Sequence, residues 1–245
     1  MHTEHHRWFS PSLHRDMEMK VYGYYGKPLL IFPTQGGSFH EAEDYLMIQA
    51  LSLHINEGRI KVFTVDSLDA EAWTREGEAV HHRGTRHEQY NGYIVNEVVP
   101  FIRNHCNQSE GTIAVTGCSM GAYHAANFFF RHPFIFDTVI AISGIYDLKL
   151  FIGDWMDDTV YFNSPLHYLR NLSDESILNR LRQNTIVVAV GRGAWEEEMI
   201  ADTDELRAIL EEKGIPAWID YWGNDVDHDW PWWRVMLPYF VGKLF

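Results

Sequence analysis

Gly117-Cys118-Ser119-Met120-Gly121 constrains this chain more than any other stretch. It follows a short β-branched segment, Thr112-Ile113-Ala114-Val115-Thr116. It precedes Ala122 to Arg131, rich in Ala and Phe and stopped by His132-Pro133. Strand, sharp turn and helix in that order predict a nucleophile elbow, where a strained turn pushes a Ser out at the top of a sheet. Glycines flank the Ser because a side chain there would meet the neighbouring strand or helix. The helix aims its N-terminus at the Ser, which favours developing negative charge. The same five residues also make ordinary tight turns, so the flanking strand and helix give the motif its weight.

Strands and helices alternate around this elbow. Met17 to Gly23 alternates like a strand and is expected to start an edge hairpin. Leu29 to Phe32 is a continuous apolar run, as in a strand buried on both faces. Further strands are expected over Ile60–Val65, Thr138–Ile142, Thr185–Val190 and Ala217–Trp222. Helical spacing covers Ala42–Ile55, Glu88–Asn104, Ser176–Arg182, Glu197–Lys213 and Trp230–Leu244. The pattern breaks from Ile145 to Asn171, which predicts an insertion over the sheet's C-terminal edge. Alternation of this kind predicts a three-layer α/β fold with a mostly parallel sheet, doubly wound. A length of 245 residues fits one such domain. Ligands bind such sheets at the carboxyl ends of the strands. The elbow, Gly191–Glu198 and Asn224–His228 all fall there.

A Ser hydroxyl needs a base to take its proton, and a carboxylate to hold that base. In α/β-hydrolases the order along the chain is Ser, acid, His. His124, His132, His167 and His228 follow Ser119. The first two belong to the elbow helix and are expected to point away. His167 lies in the insertion, where it could touch substrate. His228 follows the last strand and is the expected base. The acid should follow Val190, in Gly191-Arg192-Gly193-Ala194-Trp195-Glu196-Glu197-Glu198. Glu196, still in the loop, is favoured, with Glu197 close behind; Asp202 and Asp204 lie too far down the helix. An oxyanion needs two N–H donors. One is expected from Met120, the other from the loop Pro33-Thr34-Gln35-Gly36-Gly37, at Gln35 or Gly36. Trp155, Tyr161, Trp195 and Trp230 are candidates for the pocket wall, although most aromatic side chains serve the core.

A net charge of −14 argues against nucleic acid or an anionic membrane as partner. No apolar run marks a secretory signal or a membrane span, and the two cysteines, Cys106 and Cys118, read as reduced; a cytoplasmic enzyme is expected. The chain has fourteen histidines but no H-E-x-x-H, H-x-H or C-x-x-C spacing, so neither metal nor other cofactor is expected.

These motifs resemble an esterase family of the α/β-hydrolase superfamily. It includes esterase D (S-formylglutathione hydrolase), enterobactin-type esterases, feruloyl esterases and the secreted mycolyltransferases. The family's G-x-S-M-G-G is matched by Gly117 to Gly121 with Ala122 last, and its H-x-W-x-x-W by His228, Trp230 and Trp233. The resemblance runs from about Met17 to the end. It implies a serine hydrolase of small-molecule carboxylic esters or thioesters that works through an acyl-enzyme. Two departures stand out. Ala194 occupies the place where many members carry the acid, whereas the mycolyltransferase-like members have a longer loop with a later Glu. Thr34-Gln35-Gly36-Gly37 replaces the usual His-Gly pattern. Two rival readings remain: an acyltransferase with the same triad, and a binding protein on a hydrolase scaffold.

Overall fold

The computed structural model describes residues 1–245. Its eight strands are β1 (Thr3–Ser10), β2 (Arg15–Tyr22), β3 (Lys27–Phe32), β4 (Ile60–Val65), β5 (Ile113–Cys118), β6 (Phe136–Ile142), β7 (Thr185–Val190) and β8 (Trp218–Tyr221). They form one sheet in the order β1-β2-β4-β3-β5-β6-β7-β8. β1 and β2 join antiparallel, and β2 joins β4 antiparallel; every other pair is parallel. The central strands β4 and β5 are buried along their whole length, as expected of strands covered by helices on both faces.

Helices cover both faces. Between β3 and β4 lie α1 (Glu41–Asp44), α2 (Met47–Ala50) and α3 (Ser52–Asn56). Between β4 and β5 lie α4 (Val80–Tyr93) and α5 (Val99–His105), joined by a π-helical turn, Ile94–Val98. The elbow helix is α6 (Met120–Arg131). Four short helices separate β6 from β7: α7 (Lys149–Ile152), α8 (Asp158–Tyr161), α9 (Pro165–Arg170) and α10 (Glu175–Leu181). α11 (Glu197–Glu212) precedes β8 and α12 (Trp230–Leu244) follows it. One core holds side chains of α4, α5, α6 and α9–α11; the other holds those of α1–α3 and α12. This is the expected three-layer arrangement. No helix is long and apolar enough to cross a membrane.

α6 is buried on every side from Met120 to Phe130. A helix apolar all round belongs inside a core. Its aromatic end, Phe128-Phe129-Phe130, fixes it there; replacing one such Phe by Ala typically costs about 3–5 kcal/mol.

Three expectations are corrected. Met17–Gly23 falls on the second strand of the hairpin, and the edge strand is β1. β1 has no apolar run, since its side chains alternate between exposed and half-buried. Trp8 stacks on Phe101 and donates to Glu97, which also accepts from Ser10 and from the Ser12 N–H, and so docks the hairpin. The single helix expected over Ala42–Ile55 is three turns, broken at Leu46, whose φ is 63°. The break separates Glu41, bonded to Thr34, from the buried Met47 and Ile48. The helix expected from Glu88 starts at Val80, and Pro100 comes two residues after its wide turn, in the first turn of α5. A proline ring cannot sit against the carbonyl four residues back in a regular helix, so the widening accommodates it.

The histidines in the α4 and α6 region set an acid limit. Burial, and next the Arg131 charge, hold His132 down at about 4; burial also pushes His87 well below the usual range. Such groups bind fewer protons folded than unfolded. Stability is therefore full above the unfolded pKa of about 6.5 and falls as the pH drops toward 4. His132 alone accounts for a loss on the order of 3 kcal/mol over that window. Urea midpoints measured from pH 7.5 to 4.5 should decline accordingly. His132→Gln, which keeps a donor for Asn91, should flatten the decline.

Candidate active site

β5 ends at Cys118 and α6 begins at Met120, so Ser119 alone makes the turn. Its φ of 55° and ψ of −124° are strained for a side-chain-bearing residue, by about 1–3 kcal/mol. Contacts on both sides impose that conformation. A Cβ on Gly117 would lie 2.3 Å from the Gly121 carbonyl carbon, and one on Gly121 would lie 2.4 Å from the Phe32 carbonyl oxygen. The Ser119 N–H donates to the Ile142 carbonyl at 3.0 Å. Met120 is the first residue of α6, where N–H groups have no partner within the helix.

The loops after β7 and β8 are stitched together. Gly193 N–H donates to the Val226 carbonyl (2.9 Å), Ala194 N–H to Asp227 Oδ1 (2.7 Å) and His228 N–H to the Ala194 carbonyl (3.0 Å). A Cβ on Gly191 would lie 2.0 Å from the Val226 carbonyl oxygen, so these strands of loop touch backbone to backbone. The result carries Glu196 inward. Glu196 is fully buried, with Oε2 3.3 Å from His228 Nδ1. Its Oε1 accepts from Ser143 Oγ at 2.5 Å and from Gly191 N–H at 3.4 Å. Ser143 Oγ in turn accepts from Trp233 Nε1 at 3.2 Å. The His228 ring meets the edge of Trp233. Glu197 and Glu198 are exposed. Asp202 caps the backbone of Tyr146 and Asp147, and Asp204 bonds the Tyr221 hydroxyl.

The loop after β3 is a turn closed by Gly37 N–H donating to the Thr34 carbonyl at 2.9 Å. Gly36 takes a φ of 72° at the position that favours glycine. Glu41 accepts from both the Thr34 N–H (2.7 Å) and hydroxyl (2.6 Å). Thr34 and Gly37 are thus occupied, and Gln35 sits exposed at the tip. A cavity of about 370 Å³ opens here, with Gln35, His40, Tyr45 and Trp230 in its wall. Trp230 stacks on Tyr45. Trp155 and Trp195 are exposed, and Tyr161 packs edge-on to Phe162.

The remaining candidates lie elsewhere. His124 is buried and paired with Asp69 at 2.7 Å. His132 bonds Asn91, and His167 is 3.3 Å from Asp147. Both cysteines are free thiols.

The family model described as "Putative esterase" matches residues 10–244. The chain belongs to this esterase family. No curated protein matches it in sequence. Among solved structures, a ferulic acid esterase superposes with a TM-score of 0.76 at 18% identity, covering 100% of this chain and 98% of the other. S-formylglutathione hydrolase from Staphylococcus aureus gives 0.72 at 15%, covering 99% of each. A fluorophosphonate-binding serine hydrolase of the same organism gives 0.73 at 15%, covering 99% and 97%. The esterase shares their α/β fold over its whole length.

Ser143 escaped the sequence reading. It directly follows β6, and nothing in its neighbours signals that its hydroxyl reaches a glutamate 53 residues on. Ser143→Ala would leave Trp233 Nε1 unpaired and take from Glu196 its shorter bond. The expected cost is about 1–3 kcal/mol, a fall of several degrees in Tm by calorimetry. An unchanged Tm would mean that Glu196 is satisfied without it.

Proposed function

We propose that this esterase hydrolyses small-molecule carboxylic esters or thioesters through a Ser119–His228–Glu196 triad. The observation that carries this reading is the buried Glu196 carboxylate, which has a histidine and no Lys or Arg as its ionisable hydrogen-bond partner. Such a carboxylate holds the proton on Nδ1 and leaves the Nε2 lone pair free to act as base. It also stabilises the imidazolium that forms. Glu197 is solvated and has no comparable role.

The reaction then runs in two halves. His228 takes the Ser119 proton as Oγ attacks the carbonyl carbon, and the carbonyl oxygen becomes an oxyanion. The Met120 N–H and a donor of the Gln35 turn receive that charge; one such donor is commonly worth about 10²–10³ in rate. The tetrahedral centre collapses as His228 protonates the departing alcohol or thiol. Water, deprotonated by the same histidine, releases the acid and restores Ser119. No step needs a cofactor.

The test is turnover of p-nitrophenyl esters from C2 to C12. Ser119→Ala and His228→Ala are expected to lower kcat by more than about 10⁴-fold. Glu196→Gln should lower it by about 10⁴-fold, and Glu197→Gln should leave it near wild type. Equal losses at Glu196 and Glu197 would overturn the assignment of the acid. Fluorophosphonate labelling of Ser119 without turnover would favour acyl transfer to an alcohol. Absence of both would leave a binding protein.

A further inference from the structure

The edge strand β1 carries a second cluster of chemistry, independent of the active site. Alternation along the strand puts His2, Glu4 and His6 on one face. All three are half-buried. The last residue of α5, His105, meets them there. One carboxylate gathers the three rings. Glu4 Oε2 lies 2.9 Å from His6 Nε2 and 3.0 Å from His105 Nε2, and Glu4 Oε1 lies 2.8 Å from His2 Nε2. The ligand-type atoms of Glu4, His6 and His105 all lie within 4.8 Å of one another. His6 and His105 pack edge to face, with Phe101 against both rings.

We propose that Glu4, His6 and His105 form a zinc site clipping β1 to α5. Tetrahedral Zn²⁺ with bonds of about 2.0–2.2 Å separates its ligand atoms by roughly 3.3 Å. The rings need therefore retreat a few tenths of an ångström from Oε2, and their Nε2 atoms, within 4.8 Å of each other, settle at the same separation. Two imidazoles and one carboxylate suit a borderline ion, and a water completes four-coordination. Both rings bind as neutral Nδ1–H tautomers, with the Nε2 lone pair on the metal. His2 serves the carboxylate, donating to Oε1 while Oε2 ligates; such outer partners orient ligands. Magnesium, which demands octahedral oxygen ligands, does not fit. The site is remote from Ser119, since β2, β4 and β3 lie between β1 and β5. Its role is structural: a clasp on an edge strand whose sole neighbour in the sheet is its hairpin partner β2. His5 supplies an internal control. It faces the opposite way, bonded to Glu18 at 2.6 Å and stacked on Phe39.

The experiment uses the full chain, stripped of metal by a chelator, with circular dichroism as the check on folding. Calorimetric titration with ZnCl₂ is expected to give one equivalent of binding. His105→Gln and Glu4→Gln should each weaken it at least tenfold, His5→Ala should not change it, and MgCl₂ should give no binding. Cobalt(II) added to the wild-type chain, which needs no variant to fold, should give the visible bands of a four-coordinate ion. Absence of zinc binding, zinc binding unaltered in His105→Gln, or loss of binding in His5→Ala would overturn the site and leave Glu4 as an acceptor of three imidazole N–H groups.

Discussion

A buried carboxylate with no cation beside it holds the active-site edge together. Leaving such a charge unpaired inside a protein costs several kcal/mol, so its partners must be kept in place. Glu196 has three: a hydroxyl from the end of β6, an amide from the end of β7 and an imidazole from the loop after β8. Each arrives on a different segment. The need to satisfy one side chain therefore fixes the relative positions of three strand ends. Ser119 joins the same set through the backbone, because its N–H bonds Ile142, the residue before Ser143.

Strain concentrates at this edge. Six non-glycine residues have positive φ, and three of them, Ser119, Ser143 and Trp195, belong to or adjoin the site. Ser119 and Ser143 sit where a strand gives way to a turn, and Trp195 sits in the turn that leads into α11. Strained residues persist only where the surroundings over-determine them. Here the surroundings are backbone contacts through Gly117, Gly121, Gly191 and Gly193, all tighter than a Cβ allows. The glycines serve close approach, and the strained residues are what that approach forces.

The central sheet was legible because its strands are buried on both faces and read as apolar runs. The elbow was legible for a related reason: its glycines are obligatory. β1 was not legible, since a half-solvated edge strand of His, Glu and Arg carries no apolar signal and is held by Glu97, far along the chain. The same applies to Glu4, His6 and His105. Metal motifs are recognised by short spacing, and His105 arrives through the fold from a helix 101 residues beyond Glu4. Among Glu196, Glu197 and Glu198 the sequence favoured the one still in the loop. Glu196 is also the one that is buried, a burial that the loop's bonds to Val226 and Asp227 impose and that no local pattern encodes.

The two ends of the proposed proton relay rest on unequal foundations. Ser119 stands between β5 and α6, both enclosed by core. His228 hangs from a loop whose Gly223, Asn224 and Asp225 are exposed. Segments with little buried surface open locally, at lower free energy than the global unfolding of a core. Were that loop to open, His228 would part from a serine that has not moved. On the proposed relay, activity would then be lost while the sheet is still whole, and regained by re-docking one short loop rather than by refolding.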